Sequence, residues 1–335
     1  MPTTTDLDHD YRVLRSSAGA VDRANRARLR VTGSTRGKFL QGILTNDVNA
    51  LSPGHGLYAA VLTGKGKMQT DLTVYALSDW WWVDAEPEIA DKLPALLARY
   101  TIGTDAAVSN LAATHSLFSL HGPTAPRVLA TAFPGRSLPS DHLAVTESEW
   151  NGNRLIIAEA GYPGTPGFKI LAQTEAIEAA RGAVLAAGAT PVDPAALEIV
   201  RIESGVPRFG IDMSEENFPP ESRIEERAIS YTKGCYMGQE TIARIKTYGH
   251  VNRLLVGLHA ESDQPVRAGT RIIDAGDEHK DVGYVTSSVR SPALGRVIAL
   301  GYVHRSLEAP GTRVALGAES RIRATVVPLP FVPTT

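Results

Sequence analysis

The chain has 335 residues, more than one hydrophobic core usually fills, so two or three domains are expected. With 43% hydrophobic residues, 21% charged residues and a net charge of -2, it has an ordinary globular make-up and lacks the basic excess of a stable nucleic-acid binder. A single cysteine, Cys235, excludes an intrachain disulfide framework, no run approaches the roughly 18 apolar residues of a membrane span, and the polar, acidic residues 1–10 are unlike a signal sequence, so a cytoplasmic protein with no membrane partner is expected.

Arg23, Arg26, Arg28 and Arg30 cluster near the start and read as a solvated edge face. Residues 28–31 read as a strand, and Ser34 as the cap of a short helix reaching Leu40. Residues 57–62 and 68–77 read as two strands joined by the glycine turn 64–67, which predicts a hairpin. In the second strand Met68, Leu72, Val74 and Ala76 share one face, and Asp71, Thr73 and Tyr75 the other. The strand side chains of Trp80, Trp81 and Trp82 must alternate, so they cannot form one stacking platform.

A helix is expected from Ile89 to Tyr100, a strand over 116–120 and a helix over 126–132. Strands follow over 155–158 and 168–171, then a helix through Ile177, Ala180, Val184 and Leu185. Asp193 caps a helix that opens with Pro194 and reaches about Glu203. Residues 205–229 lose all periodicity, and irregular stretches of that length are usually functional or disordered. After Val251 six short strands alternate with glycine turns, which predicts a small sandwich or barrel and a domain boundary near residue 250.

The segment Lys233-Gly234-Cys235-Tyr236-Met237-Gly238-Gln239-Glu240 is the most unusual in the chain. Residues 241–246 read as a helix, with Glu240 and Arg244 spaced for an i,i+4 ion pair. Cys235 then lies just ahead of a helix N-terminus and beside Lys233, surroundings that favour a thiolate. Taken by itself a lone cysteine is more often a small buried hydrophobe, but its Gly, Lys, Gln and Glu neighbours are poor company for a core position. One cysteine without paired partners predicts no metal site.

These residues carry a resemblance. The Lys-Gly-Cys-Tyr-x-Gly-Gln-Glu run resembles the signature of the YgfZ proteins and their mitochondrial iron–sulfur assembly counterparts, relatives of the glycine-cleavage T-protein. Arg201-Ile202-Glu203-Ser204-Gly205 resembles the Arg-x-Glu-x-Gly run shared with the T-protein, and Phe218-Pro219-Pro220-Glu221 the step before the cysteine motif. Phe39-Leu40-Gln41-Gly42, Thr45-Asn46-Asp47-Val48, residues 249–253 and Pro330-Phe331 are similar to family positions too, so the resemblance spans about residues 25–331.

The resemblance implies an α+β fold of T-protein-like subdomains around a central folate cavity (1–250) and a C-terminal small β-barrel (251–331). It implies tetrahydrofolate or a derivative as the bound cofactor, with Glu203 contacting the pterin and Arg201 and Asp71 as further binding residues. It also implies a folate-binding accessory factor for assembly or repair of iron–sulfur proteins, tRNA-modifying enzymes among the clients. Cys235 is then the reactive group, Lys233 its neighbour, and Gly234, Tyr236, Gly238, Gln239 and Glu240 the supporting motif. The T-protein pattern has two adjacent acids where this chain has Thr70-Asp71, which puts aminomethyl transfer in doubt. Two rival functions stay open: a folate-dependent aminomethyltransferase, and a non-catalytic adaptor for cluster carriers.

Overall fold

The computed structural model describes residues 6–276, 280–317 and 321–333. The chain opens with helix α1 (Leu7–Ser16), capped by the Asp6 carboxylate, which accepts from the His9 N–H at 3.1 Å. Strands β1 (Gly19–Asp22) and β2 (Ala27–Thr32) follow, then α2 (Arg36–Ile43). Ser34 does not cap that helix; its hydroxyl and N–H both donate to Asp105, which pins the turn instead. The expected hairpin forms from β3 (Gly56–Leu62) and β4 (Met68–Ala76), and β5 (Trp81–Ala85) pairs with it.

The helix expected over 89–100 is broken. A short 3₁₀ turn at Pro87–Ile89 precedes α3 (Leu93–Ala98), whose second residue is Pro94. Proline is tolerated in a first turn, whereas within one continuous helix it would clash with the turn before. Strand β6 (Ala107–Asn110) completes an antiparallel sheet in the order β3-β4-β5-β2-β6.

A second sheet takes up β7 (His115–His121), then, after α4 (Ala125–Ala132), β8 (Val145–Trp150), β9 (Asn153–Glu159) and β10 (Gly167–Gln173). Helix α5 (Thr174–Ala186) and the two-residue β11 (Thr190–Pro191) follow, giving the order β11-β1-β7-β10-β9-β8. Helix α6 (Pro194–Glu203), capped by Asp193, is buried nearly all round, from Ala196 to Glu203. A helix so enclosed packs against several layers at once. It lies against α1 and β1 on one side and the barrel on the other.

Irregular chain with the short α7 (Glu225–Ala228) leads to α8 (Gln239–Tyr248), which buries only Ile242. Six strands then close a barrel in the order β12-β15-β14-β13-β16-β17: β12 (Arg253–Ala260), β13 (Arg271–Asp274), β14 (Asp281–Ser291), β15 (Arg296–His304), β16 (Arg313–Leu316) and β17 (Ile322–Val327). All six strands expected after Val251 are present, and the fold is α+β with a closed C-terminal β-barrel.

The three tryptophans divide as strand alternation requires. Trp81 packs into the core below the first sheet, while Trp80 and Trp82 join Tyr75 in a cluster between the two sheets. Burying a large apolar side chain stabilises by about 1.5–3 kcal/mol, so this cluster holds the two sheets face to face. Among the described residues no helix is long and apolar enough to cross a membrane.

Candidate functional site

A cavity of about 370 Å³ lies between the two sheets, closed on one side by α6 and residues 206–208. Its walls follow from strand alternation. Asp71, Thr73 and Tyr75 of β4 face it from the first sheet, and Ser119 and His121 of β7 from the second. The opposite faces of these strands are apolar core.

One wall is a chain of buried charges. The Arg26 guanidinium donates to both Asp84 oxygens at 3.0 and 2.7 Å and meets Glu86 at 2.5 Å. The Lys169 ammonium reaches Asp84 at 2.6 Å, which ties β10 to β5 across the gap between the sheets. Burial pushes the Asp84 and Glu86 carboxyls up, but the surrounding cations outweigh it and hold both below the usual carboxylate range. Arg26 and Arg28 are therefore not part of a solvated edge face. Both are buried, Arg28 donating to the carbonyls of His115, Ala24, Arg26 and Ala112.

Asp71 stands apart from this cluster. It is buried, has no ion pair among the described residues, and accepts from the Tyr58 hydroxyl at 2.6 Å. Burial raises its pKa to about 6, only partly offset by the Tyr58 hydrogen bond. Thr70 points the other way into the core, its hydroxyl donating to the Asp71 carbonyl at 2.8 Å. The cavity thus holds one carboxylate at this position, not two.

Arg201 and Glu203 part company. Arg201 lines the cavity, held by Glu198 at 2.6 Å and Asp212 at 2.7 Å, with a further bond to Ser287 of β14. Glu203 is fully buried outside the cavity lining. Its carboxylate accepts from Tyr11 at 2.8 Å, from Arg15 and from Ser291. Residues two apart on a helix point about 200° apart, so one run cannot send both side chains to one cavity.

The cysteine segment lies outside the cavity lining. Lys233, expected beside the thiol, turns inward and donates to the carbonyls of Gln41, Leu44 and Asn46 at 2.6–2.9 Å, using all three of its N–H groups. Burial lowers its pKa to about 8. Tyr236 is buried in the first sheet's core, and burial lifts its phenol to about 12. Gly238 precedes α8 at φ +81°, where an added Cβ would come within 2.5 Å of the Thr63 carbonyl. The motif is therefore clamped onto the β3–β4 turn. Gly234 and Cys235 are exposed, Gln239 is half-buried, and Glu240 forms the expected pair with Arg244 at 2.5 Å. Among the described residues no three His, Cys, Asp or Glu side chains group as a metal site.

Several cavity residues escaped the sequence reading: Tyr58, Lys169, Ser119, His121 and Arg208. Period-two alternation of β7 and β10 could have placed Ser119, His121 and Lys169 on one face, but not said that the face lines a cavity.

Comparison with known proteins fits this architecture. The GCVT N-terminal domain profile matches residues 3–233 and the glycine cleavage T-protein C-terminal barrel domain residues 253–333. An aminomethyltransferase of Rubrobacter xylanophilus is 29% identical over 322 residues, covering 96% of this chain and 85% of that protein. One from Herpetosiphon aurantiacus is 29% identical over 324 residues, covering 96% and 89%. The crystal structure of the glycine cleavage system aminomethyltransferase T from Bartonella henselae superposes with a TM-score of 0.89 at 25% identity, over 100% of this chain and 91% of that one. With both domain profiles matched in order along nearly the whole sequence, the chain belongs to the glycine-cleavage T-protein family.

Proposed function

We propose that this protein binds a tetrahydrofolate in the cavity between the two sheets and handles a one-carbon unit there, with Asp71 as the acid–base group. The observation that carries the reading is Asp71: a cavity-facing carboxyl, buried, without an ion pair among the described residues, and pushed by burial to a pKa of about 6. A group titrating close to neutrality can both hold and release a proton at working pH. The similar proteins named above are aminomethyltransferases, which supports the same use. In that reaction the carrier's carbon–sulfur bond and its carbon–nitrogen bond to the amino group both break, and the methylene joins two folate nitrogens. Their two protons end on the released ammonia and the carrier thiol, and in this reading Asp71 relays one of them.

The test is anaerobic titration calorimetry with tetrahydrofolate, followed by turnover with an aminomethyl-lipoyl carrier protein, for wild type and Asp71→Asn. Saturable binding by both, with turnover confined to wild type, is the expected result. Absence of binding to folded wild type would remove the folate reading.

A second reading has its own observation. Lys233, Tyr236 and Gly238 are all packed, while Cys235 is exposed together with Gly234 and Glu240. With only one acid at residues 70–71, this supports a YgfZ-type accessory factor for iron–sulfur proteins that uses folate without aminomethyl transfer. Folate binding without turnover, together with a deletion strain whose cluster-dependent enzyme is rescued by wild type but not by Cys235→Ala, would establish it. Rescue by Cys235→Ala would leave the adaptor role.

A further inference from the structure

Two charged side chains of the cavity lining, Asp71 and Arg227, make no ion pair among the described residues, and Tyr58 stands between them. The other charges of the lining are matched. Arg26 and Lys169 meet Asp84, Arg23 and Arg208 meet Glu86, and Arg201 meets Asp212. His142 lies 3.3 Å from Glu159, and burial and nearby cations hold His121 neutral. The Tyr58 hydroxyl donates to Oδ2 of Asp71 at 2.6 Å, and no other side chain among the described residues donates to that carboxylate. The Arg227 guanidinium carbon lies 5.3 Å from the centre of the Tyr58 ring.

The arrangement is held from several sides. Tyr58 faces Thr73 across the β3–β4 ladder, so Asp71, two residues from Thr73, is its diagonal neighbour on the same face. The Asn46 side-chain amide donates to the carbonyls of both Tyr58 and Arg227, at 2.9 and 3.0 Å. The Thr45 hydroxyl donates to the Ala228 carbonyl at 2.6 Å and accepts from the Ala60 N–H at 2.9 Å. This turn therefore locks β3 to α7, and Lys233 holds it in place through the Asn46 carbonyl at 2.9 Å.

We propose that Tyr58 and Arg227 are positioning residues for Asp71: Tyr58 holds one carboxylate oxygen and leaves the other to exchange a proton with the ligand, and Arg227 keeps the phenol a strong donor. The inference rests on the acid–base role given to Asp71 above. Burial and the Asp71 charge push the Tyr58 phenol up, and Arg227 over the ring opposes them. A strong donor at Oδ2 favours the ionised carboxylate, against burial, which favours the protonated one. Arginine in direct contact would lower the carboxyl by about 1–3 units and keep it ionised. With a phenol between the two charges, Asp71 stays able to take a proton. Glu86 and Arg26 also bear on Asp71, but in opposite directions, and they are paired with each other.

Two measurements on the full chain test this. The first needs no ligand: the Asp71 carboxyl is titrated by carbon-13 NMR, its signal assigned by its loss in Asp71→Asn. Tyr58→Phe is expected to raise the midpoint by about one pH unit, tenfold in proton affinity, and Arg227→Gln by about half a unit. A midpoint that Tyr58→Phe leaves unchanged or lowers overturns the inference. Should that variant fail to fold, Arg227→Gln, at an exposed position, decides the same way by whether the midpoint rises. The second is the pH profile of kcat with tetrahydrofolate and an aminomethyl-lipoyl carrier, whose Asp71 limb should move up by the same amount in each variant. Shifted midpoints in a protein whose wild type does not turn over keep the positioning of Asp71 and remove the acid–base reading instead.

Discussion

Burying the Asp71 carboxyl beside Tyr58 makes its negative charge a cost to the folded state. Its pKa rises on folding from 3.8 to about 6, so folding favours the protonated form. That contribution is fully present below the unfolded pKa and is lost as pH rises through the folded value. Two units correspond to about 3 kcal/mol, so Asp71→Asn is expected to match wild type near pH 4 and to exceed it by up to about 3 kcal/mol near pH 8. Urea unfolding at the two pH values reads this directly, and a constant difference between the proteins would refute it. Asp71 itself was legible in the sequence, because period two sends it and Thr70 to opposite faces. Tyr58 and the depth of burial were not, since both depend on how β3 pairs with β4 and on what closes over the strand.

At the scale of elements, two contacts join parts of the chain that the sequence shows only separately. The first is the seat of α8 on the β3–β4 turn. Gly238 at φ +81° meets the Thr63 carbonyl, and Gly66 at φ +78° meets Thr241. Gly238→Ala adds left-handed strain to a clash with backbone, and should lower stability by about 2 kcal/mol. Proteolysis at the Cys235 segment should rise with it, and unchanged cleavage would show that α8 seats without the glycine. The second contact is the Arg26–Asp84–Lys169 cluster between the sheets. Asp84→Asn leaves two buried cations poorly compensated, at a cost of about 3–5 kcal/mol seen in chemical denaturation. The two contacts were not equally hidden. Each glycine of the turn and the cysteine motif was visible, and so were their flanking elements. The arginine cluster was visible too, but charge spacing cannot show that Asp84 and Lys169 fold over it. Helix α1 went unseen because Asp8 and Asp10 break up the short apolar stripe of Tyr11, Val13 and Leu14.

The whole molecule is held together where α1, α6, the barrel and the C-terminal segment meet, and Glu203 sits at that junction. Its side chain takes Tyr11 and Arg15 from α1 and Ser291 from β14, while its backbone carbonyl accepts from Phe331 and Val332. The pull of Glu203, added to burial, helps lift the Tyr11 phenol to about 12, so Tyr11 stays a donor at any working pH. The Arg-x-Glu-x-Gly run picked out by resemblance lies on α6, where Arg201 lines the cavity and Glu203 does not. It could not tell which of two side chains about 200° apart faces inward, because that is decided by what packs on each side of α6. The consequence separates a structural from a ligand role. Glu203→Ala strips three donors of their acceptor and should cost about 3 kcal/mol or more in urea unfolding. Calorimetry on the folded protein should then find tetrahydrofolate affinity within about twofold of wild type, a change smaller than one hydrogen bond. A large loss of affinity with stability intact would return Glu203 to the ligand and require α6 to turn on binding.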